Sequence, residues 1–243
     1  MHIDKEKCIG CGVCVPYCPV EAIIIIDKKA EITDKCVECG TCGRINIVHC
    51  PTKAIQEDND VYERPKSVSK FFSDPMAYHP ETKVPGRGTE EVKTNDVTGR
   101  VKRGEVGIGI EIGRPSVGAG FSDVEKIATA LAELDYMSFE KDNPISYHIK
   151  DKKEGKVYDD LRERRVISAI IEFTIPIDKM EEVLDKVLSV SETLNTVFTL
   201  ETFMRLENNN IPEKVEKILA NLNLHYRPNS KINLGLGRPI KEI

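Results

Sequence analysis

From residue 105 onward, apolar and polar positions follow two clear periods. Val106, Ile108, Ile110 and Ile112 alternate with Gly107, Gly109 and Glu111, the period of two that predicts a strand. Val124, Ile127, Ala128, Leu131 and Leu134 then recur at helical spacing, opened by Ser122 and Glu125 as a capping box. Ile167, Ala169, Ile171, Phe173 and Ile175 predict a second long strand. A helix follows with Met180, Val183, Leu184, Val187 and Leu188 on its apolar stripe, capped by Asp178 with Glu181. Phe198, Leu200, Thr202, Met204 and Leu206 predict a third strand, and Pro212 opens a helix carrying Val215, Ile218, Leu219 and Leu222. Ile232, Leu234 and Leu236 predict a closing strand, and a short one is expected near Tyr147 to Ile149. If each strand buries one face and each helix one stripe, the helices lie on one side of a sheet. Residues 105–243 are therefore expected to form an α+β domain, a two-layer α/β sandwich.

Residues 57–104 show neither period. Pro65, Pro75, Pro80 and Pro85, with Gly86, Gly88 and Gly99, punctuate a polar stretch, so this region is expected to be an extended connection. It is long for a loop. Phe71, Phe72, Met76 and Tyr78 point to a middle part that packs against a domain.

Composition narrows the function classes. The chain has 243 residues, 40% of them hydrophobic and 31% charged, with a net charge of -5. That balance excludes a disordered tail and a strongly basic nucleic-acid binder. Apolar runs such as Ala22 to Ile26 are far short of the roughly 20 residues that cross a bilayer. The first residues, Met-His-Ile-Asp-Lys-Glu, form no apolar signal region, so a cytoplasmic location is expected, with no nucleic-acid or membrane partner.

The cysteines carry the chemistry. All eight lie between residues 8 and 50. Cys8, Cys11, Cys14 and Cys18 form C-x2-C-x2-C-x3-C before Pro19; Cys36, Cys39, Cys42 and Cys50 form C-x2-C-x2-C-x7-C before Pro51. Three thiolates at this spacing can wrap three corners of one cubane, leaving the fourth to come from elsewhere in the chain. A disulfide framework fits a cytosolic chain poorly. Two structural zinc sites are the competing reading, since C-x2-C is also a zinc spacing. The third Cys of each run and the Pro after each fourth Cys favour iron–sulfur clusters.

Flanking residues repeat too. Lys7-Cys8-Ile9-Gly10-Cys11-Gly12-Val13-Cys14 corresponds to Lys35-Cys36-Val37-Glu38-Cys39-Gly40-Thr41-Cys42, and Cys18-Pro19-Val20-Glu21-Ala22-Ile23 to Cys50-Pro51-Thr52-Lys53-Ala54-Ile55. On these residues the stretch 1–56 resembles a bacterial-type dicluster ferredoxin. The resemblance implies two short antiparallel hairpins, two short helical turns and two [4Fe–4S] clusters. It also implies crossed ligation: cluster I on Cys8, Cys11, Cys14 and Cys50, and cluster II on Cys36, Cys39, Cys42 and Cys18. Gly43 to His49 departs from the pattern by four extra residues, which are expected to loop out beside Cys50. Residues 1–55 carry seven acidic and seven basic side chains. Freely shuttling ferredoxins resemble strongly acidic proteins, so the balance suits a module whose partner is attached or stably bound.

No family resemblance extends to residues 105–243, whose expected architecture is ferredoxin-like or ACT-like in the fold sense, unrelated to the clusters. Gly107 and Gly109 face away from the apolar side of the first strand, as Gly235 and Gly237 do in the last. Such a surface is expected either to bend the sheet or to let another domain, a partner or a second copy approach closely. Between the first strand and first helix, Arg114 with the backbone of Gly118 and Gly120 is a candidate anion site, weighed against an ordinary glycine-rich connection. His2, His49, His79, His148 and His225 show no ligand spacing. The expected function is an electron-transfer protein or subunit passing single low-potential electrons to or from a redox partner protein, with residues 105–243 docking that partner or forming a homodimer. The alternatives are a reductase holding a small anionic substrate and a redox or metabolite sensor.

Overall fold

The computed structural model describes residues 1–85, 100–114, 117–208 and 210–226. The first part holds β1 (His2–Ile3), β2 (Ile23–Ile26), β3 (Lys29–Ile32) and β4 (Ile55–Gln56). β1 pairs with β4 and β2 with β3, both antiparallel. The β2–β3 turn is made by Asp27 and Lys28, both at positive φ, the twist that matches a two-residue hairpin. Two small cores result. One joins Ile3, Cys8, Cys14, Ile23, Ala30, Val48 and Ala54; the other joins Val20, Ala22, Val37 and Cys39.

The stretch expected to lack regular structure contains α1 (Lys66–Ser73). Its polar side chains hid it: Ser67, Ser69, Lys70 and Ser73 are buried along with Val68 and Phe72. Phe72 reaches the main core, edge-on to His79 (4.6 Å between centroids), His148 (5.6 Å) and Phe121 (6.1 Å). Ser69 and Ser73 accept hydrogen bonds from the Arg164 side chain and the Ile167 amide, at 3.2 and 2.9 Å.

Beyond residue 104 come β5 (Glu105–Ile112), β6 (Ala119–Gly120), α2 (Phe121–Ala132), β7 (Ile149–Asp151), β8 (Lys156–Val157), β9 (Arg165–Val166), β10 (Ala169–Pro176), α3 (Met180–Ser191), β11 (Phe198–Met204) and α4 (Glu213–Asn221). The alternating patterns fall on β5, β10 and β11, which form an antiparallel sheet in the order β10-β5-β11. α3 therefore carries the chain over β5, joining two strands parallel to each other. Val106, Ile108, Ile110 and Ile112 are fully buried with Val124, Ile127 and Leu131 of α2 and Met180, Val183 and Leu184 of α3. The predicted closing strand, with Gly235 and Gly237, lies outside the described residues.

Three expectations need correction. First, neither predicted cap forms, because the capping carboxylates are drawn to other groups. α2 starts at Phe121, and Glu125 accepts from the Val157 amide at 3.0 Å and pairs with Arg162. Asp178 pairs with Lys214. Second, β5 is buried on both faces rather than one, and so is most of β10. On the second face Asn143 donates to Glu172 at 2.8 Å. Third, Gly107 is neither a bend nor a docking floor: a Cβ there would lie 2.0 Å from the Phe203 ring, so a cross-strand aromatic fills its space. The β5–β10 register runs without a bulge through both glycines.

His148 is buried beside Phe72 and Phe121, with Arg64, His79 and Asp160 as its charged and titratable neighbours. Burial, helped by Arg64 and His79, lowers its pKa to about 4. As pH falls from about 6.5 toward 4, the unfolded chain takes up this proton before the folded one, so stability falls, by on the order of 3 kcal/mol once both are protonated. Anaerobic urea unfolding at pH 7.5 and pH 5 should show a smaller loss for His148→Phe than for the parent. An equal loss would mean that His148 does not titrate in this way.

Candidate functional site

The eight thiols divide between two places. Cys8 and Cys14 are buried in the first small core, with Cys50 packed against it, while Cys11 is exposed. Gly10 and Gly12 adopt left-handed φ of 69° and 74°, which lets the chain coil tightly between these cysteines. The Ala30 amide donates to the Cys8 sulfur and the Ala54 amide to the Cys50 sulfur, both at 3.3 Å. Burial pushes the Cys14 thiol up, and Cys11, Cys8 and Cys50 are the thiols near enough to add to the effect. At Cys50 burial is outweighed by amide hydrogen bonds from Ala54 and Thr52, and the thiol is lowered.

The second place is a small open cavity whose cysteines are Cys18, Cys36, Cys39 and Cys42. Apart from these thiols, its walls are largely apolar, with Val20, Ala22, Ile23, Ile32 and Val37. The Ala22 amide donates to the Cys18 sulfur at 3.1 Å. Burial pushes Cys36 up to about 11 and Cys42 up to about 12, with Cys39, Cys36 and Cys18 adding to the shift at Cys42. Free thiols held this way resist ionisation, so to act as thiolate ligands they need the positive charge of the group they bind.

The donors present fit iron–sulfur clusters. Each place offers four cysteines and at least one backbone amide aimed at sulfur, within an apolar lining. Among the described residues, no three His, Cys, Asp or Glu side chains form a group that could hold a single metal ion.

The second place is also where residues 1–56 meet the rest of the chain. Ile167 packs against Val20, Ala22, Val37 and Cys39. A Cβ on Gly118 would lie 3.2 Å from the Val20 side chain. Around Gly40, between Cys39 and Cys42, stand the side chains of Asp74, Lys70 and Arg44, all within 3.5 Å of where a Cβ would be. Arg44 donates to the Cys39 carbonyl at 3.2 Å and pairs with Asp74; Lys70 pairs with Asp74 at 2.8 Å and with Glu57. Burial opposes the Lys70 charge, but bonds to Asp74 and Glu57 outweigh it and raise its pKa. None of these residues stands out in sequence, because the contacts join segments far apart in the chain.

Of the candidate anion site, Arg114 and Gly118 lie on either side of residues 115 and 116, which are outside the described residues, and Gly120 pairs with Arg165. Arg114 lies 3.5 Å from Glu111, and the Val117 and Gly118 amides donate to the Gly113 carbonyl. The Phe121 and Ser122 amides at the start of α2 donate to the carbonyls of Arg164 and Arg162.

The 4Fe-4S binding domain family matches residues 1–24. Subunit PorD of pyruvate synthase from Methanothermobacter marburgensis is 41% identical over 59 residues, 24% of this chain and 64% of that one. A ferredoxin from Pyrobaculum islandicum is 30% identical over 94 residues, covering 38% of this chain and 81% of the ferredoxin. One component of an ion-translocating oxidoreductase complex from Methanosarcina acetivorans is 46% identical over 55 residues, 22% of this chain and 19% of that component. The chain thus spans less than two thirds of the first of these relatives. No solved structure gives a significant match. No helix among the described residues is long and apolar enough to cross a membrane. With its repeated cysteine runs, its amide-to-sulfur bonds and most of the Pyrobaculum protein matched, the chain belongs, through its N-terminal region, to the [4Fe–4S] ferredoxins.

Proposed function

We propose that this protein passes single low-potential electrons to or from a partner oxidoreductase through two [4Fe–4S] clusters. Cluster I takes Cys8, Cys11, Cys14 and Cys50; cluster II takes Cys36, Cys39, Cys42 and Cys18. The cavity that gathers Cys18 with three thiols of the other run is the observation that carries this reading. One-electron exchange is what the clusters supply when bound; the protein contributes position, burial and hydrogen bonds to sulfur, which set the potential. Two relatives are named as subunits of pyruvate synthase and of an ion-translocating oxidoreductase complex, which supports an oxidoreductase as partner. Residues 1–56 form the cluster domain, 57–104 the connection and 105–243 an α+β sandwich whose helices α2 and α3 cover one sheet face. That sandwich holds the cluster domain at Ile167 and serves assembly with the partner rather than chemistry.

Anaerobically prepared protein should carry about eight iron atoms and eight acid-labile sulfides per chain. Cys18→Ala should damage cluster II and Cys50→Ala cluster I, each leaving roughly half the iron. Iron and sulfide assays with electron spin resonance of the reduced variants check this. Stoichiometric zinc without iron would sink the proposal, and loss of the cluster bound by each cysteine's own run would refute the crossed wiring.

A further inference from the structure

The charges built against the second cysteine group come partly from outside the cluster domain. Asp74, Lys70 and Arg44 surround Gly40, which stands between the ligand positions Cys39 and Cys42. Lys70 lies on α1, in the connection, and Asp74 directly follows that helix. Both are nearly out of water, the Lys70 side chain 4% exposed and that of Asp74 6%. They pair with each other at 2.8 Å, and Lys70 also pairs with Glu57 and has the Tyr62 ring 5.7 Å from its ammonium. Asp74 accepts from the Met76 amide at 2.9 Å and pairs with Arg44, which donates to the Cys39 carbonyl at 3.2 Å. At the first group the cation is Lys29, which donates to the Cys8 carbonyl from within the cluster domain.

A buried ion pair is often no better for stability than apolar packing of the same volume, so stability alone does not account for this one. Burial opposes both charges, yet bonds to Asp74 and Glu57 raise the Lys70 pKa, and bonds from Lys70 and the Met76 amide hold the Asp74 carboxyl below its usual range. Lys70 and Asp74 are therefore fixed charges. In surroundings that screen weakly, a fixed charge acts at range on any group that gains or loses an electron. A cation favours the reduced form of such a group, and an anion favours the oxidised form.

We infer that Lys70 and Asp74 are potential-determining residues of cluster II, Lys70 raising its reduction potential and Asp74 lowering it, with cluster I left to its own surroundings. The inference rests on the two-cluster reading above. One electron arrives from an external one-electron reductant, and no proton moves, because both side chains keep their charges in either state. The connection is then part of the redox site. α1 brings the pair to Gly40, while Ser69 and Ser73 fasten the same helix to Arg164 and Ile167.

The test is an anaerobic potentiometric titration of the whole protein, with titanium(III) citrate as reductant and electron spin resonance as readout. Iron and sulfide are assayed first; a protein without clusters would fail the earlier reading, not this one. The signal lost in Cys39→Ala identifies cluster II whichever cysteine is its fourth ligand. Lys70→Met should lower the reduction equilibrium constant of that signal roughly tenfold, about 59 mV for one electron, and Asp74→Asn should raise it by a similar factor. Lys70→Arg should stay near the parent. The cluster I signal should hold its position in all three, and both shifts should persist at high salt, since the pair is buried. Lys186→Met, which removes a charge paired with Glu133 on the sandwich, should move neither signal. Shifts of the same sign in Lys70→Met and Asp74→Asn would overturn the inference. So would no shift in either, an equal shift of both signals, or a Lys70→Arg value as low as that of Lys70→Met. If Lys70→Met loses iron, the direction of the Asp74→Asn shift decides alone. Loss of iron in both would mean that the pair clamps the ligand loop without tuning it, and the inference would fall.

Discussion

Gly10→Ala is expected to remove about half of the protein's iron. A Cβ at residue 10 would lie 2.0 Å from the Lys28 carbonyl oxygen and 2.7 Å from its carbon, distances no real contact tolerates. Both neighbours are backbone, so no side chain can swing away. Residue 10 also sits at φ 69°, where alanine is disfavoured by roughly 1–2 kcal/mol. Relief requires the β2–β3 turn to lift off the Cys8–Cys14 coil, and Ala30, which donates to the Cys8 sulfur, moves with that hairpin. Gly12→Ala is the matched control. Its φ of 74° imposes a similar strain, yet nothing lies within 4 Å of its added Cβ. Iron content and electron spin resonance should show cluster I lost in the first variant and retained in the second. Full iron in Gly10→Ala would mean that the hairpin yields without disturbing the ligands.

Phe72→Ala should release α1 from the main core at a cost of roughly 3–5 kcal/mol. The ring is 1% exposed and wedged among Phe121, His79 and His148. Its loss leaves a cavity that neighbouring rings cannot fill by small shifts. Without that anchor the Ser69–Arg164 and Ser73–Ile167 hydrogen bonds are exposed to water. Limited proteolysis should then cut residues 57–85 much faster than in the parent, while the iron content stays at the parent's, because no cysteine lies beyond Cys50. Phe72→Leu should fall between the two. An unchanged cleavage rate for Phe72→Ala would show that α1 is held by its polar bonds alone.

The parts of this structure that were readable in sequence are those where one residue's neighbours in space are also its neighbours in the chain. The cysteine runs are legible because a cubane forces its ligands into fixed short spacings. β5, β10 and β11 are legible because the pleat turns alternate residues toward α2 and α3. Wherever a distant segment competes, the local pattern misleads. Glu125 has the spacing of a cap, but Arg162 and the Val157 amide claim it. Gly107 reads as open space, but Phe203 occupies it. α1 has too few apolar residues to register as a helix, since four of the six residues it buries are serine or lysine, with Ser69, Lys70 and Ser73 meeting polar partners at residues 57, 74, 164 and 167.

The seat of Ile167 against the second cysteine group has a consequence for how the protein is made. Cys50 precedes Ile167 by 117 residues. At translation rates of about 5–20 residues per second, the last cysteine leaves the ribosome roughly 6–23 s before Ile167 does. Over that interval the thiols of both groups stand open to whatever delivers iron and sulfide. Once the sheet closes, Ile167 packs on the small core of Val20, Ala22, Val37 and Cys39 beside the cavity that holds Cys18, Cys36, Cys39 and Cys42. Loading during synthesis is therefore easier than repair afterwards, and a cluster lost to oxygen at this group would be harder to restore than one lost beside exposed Cys11.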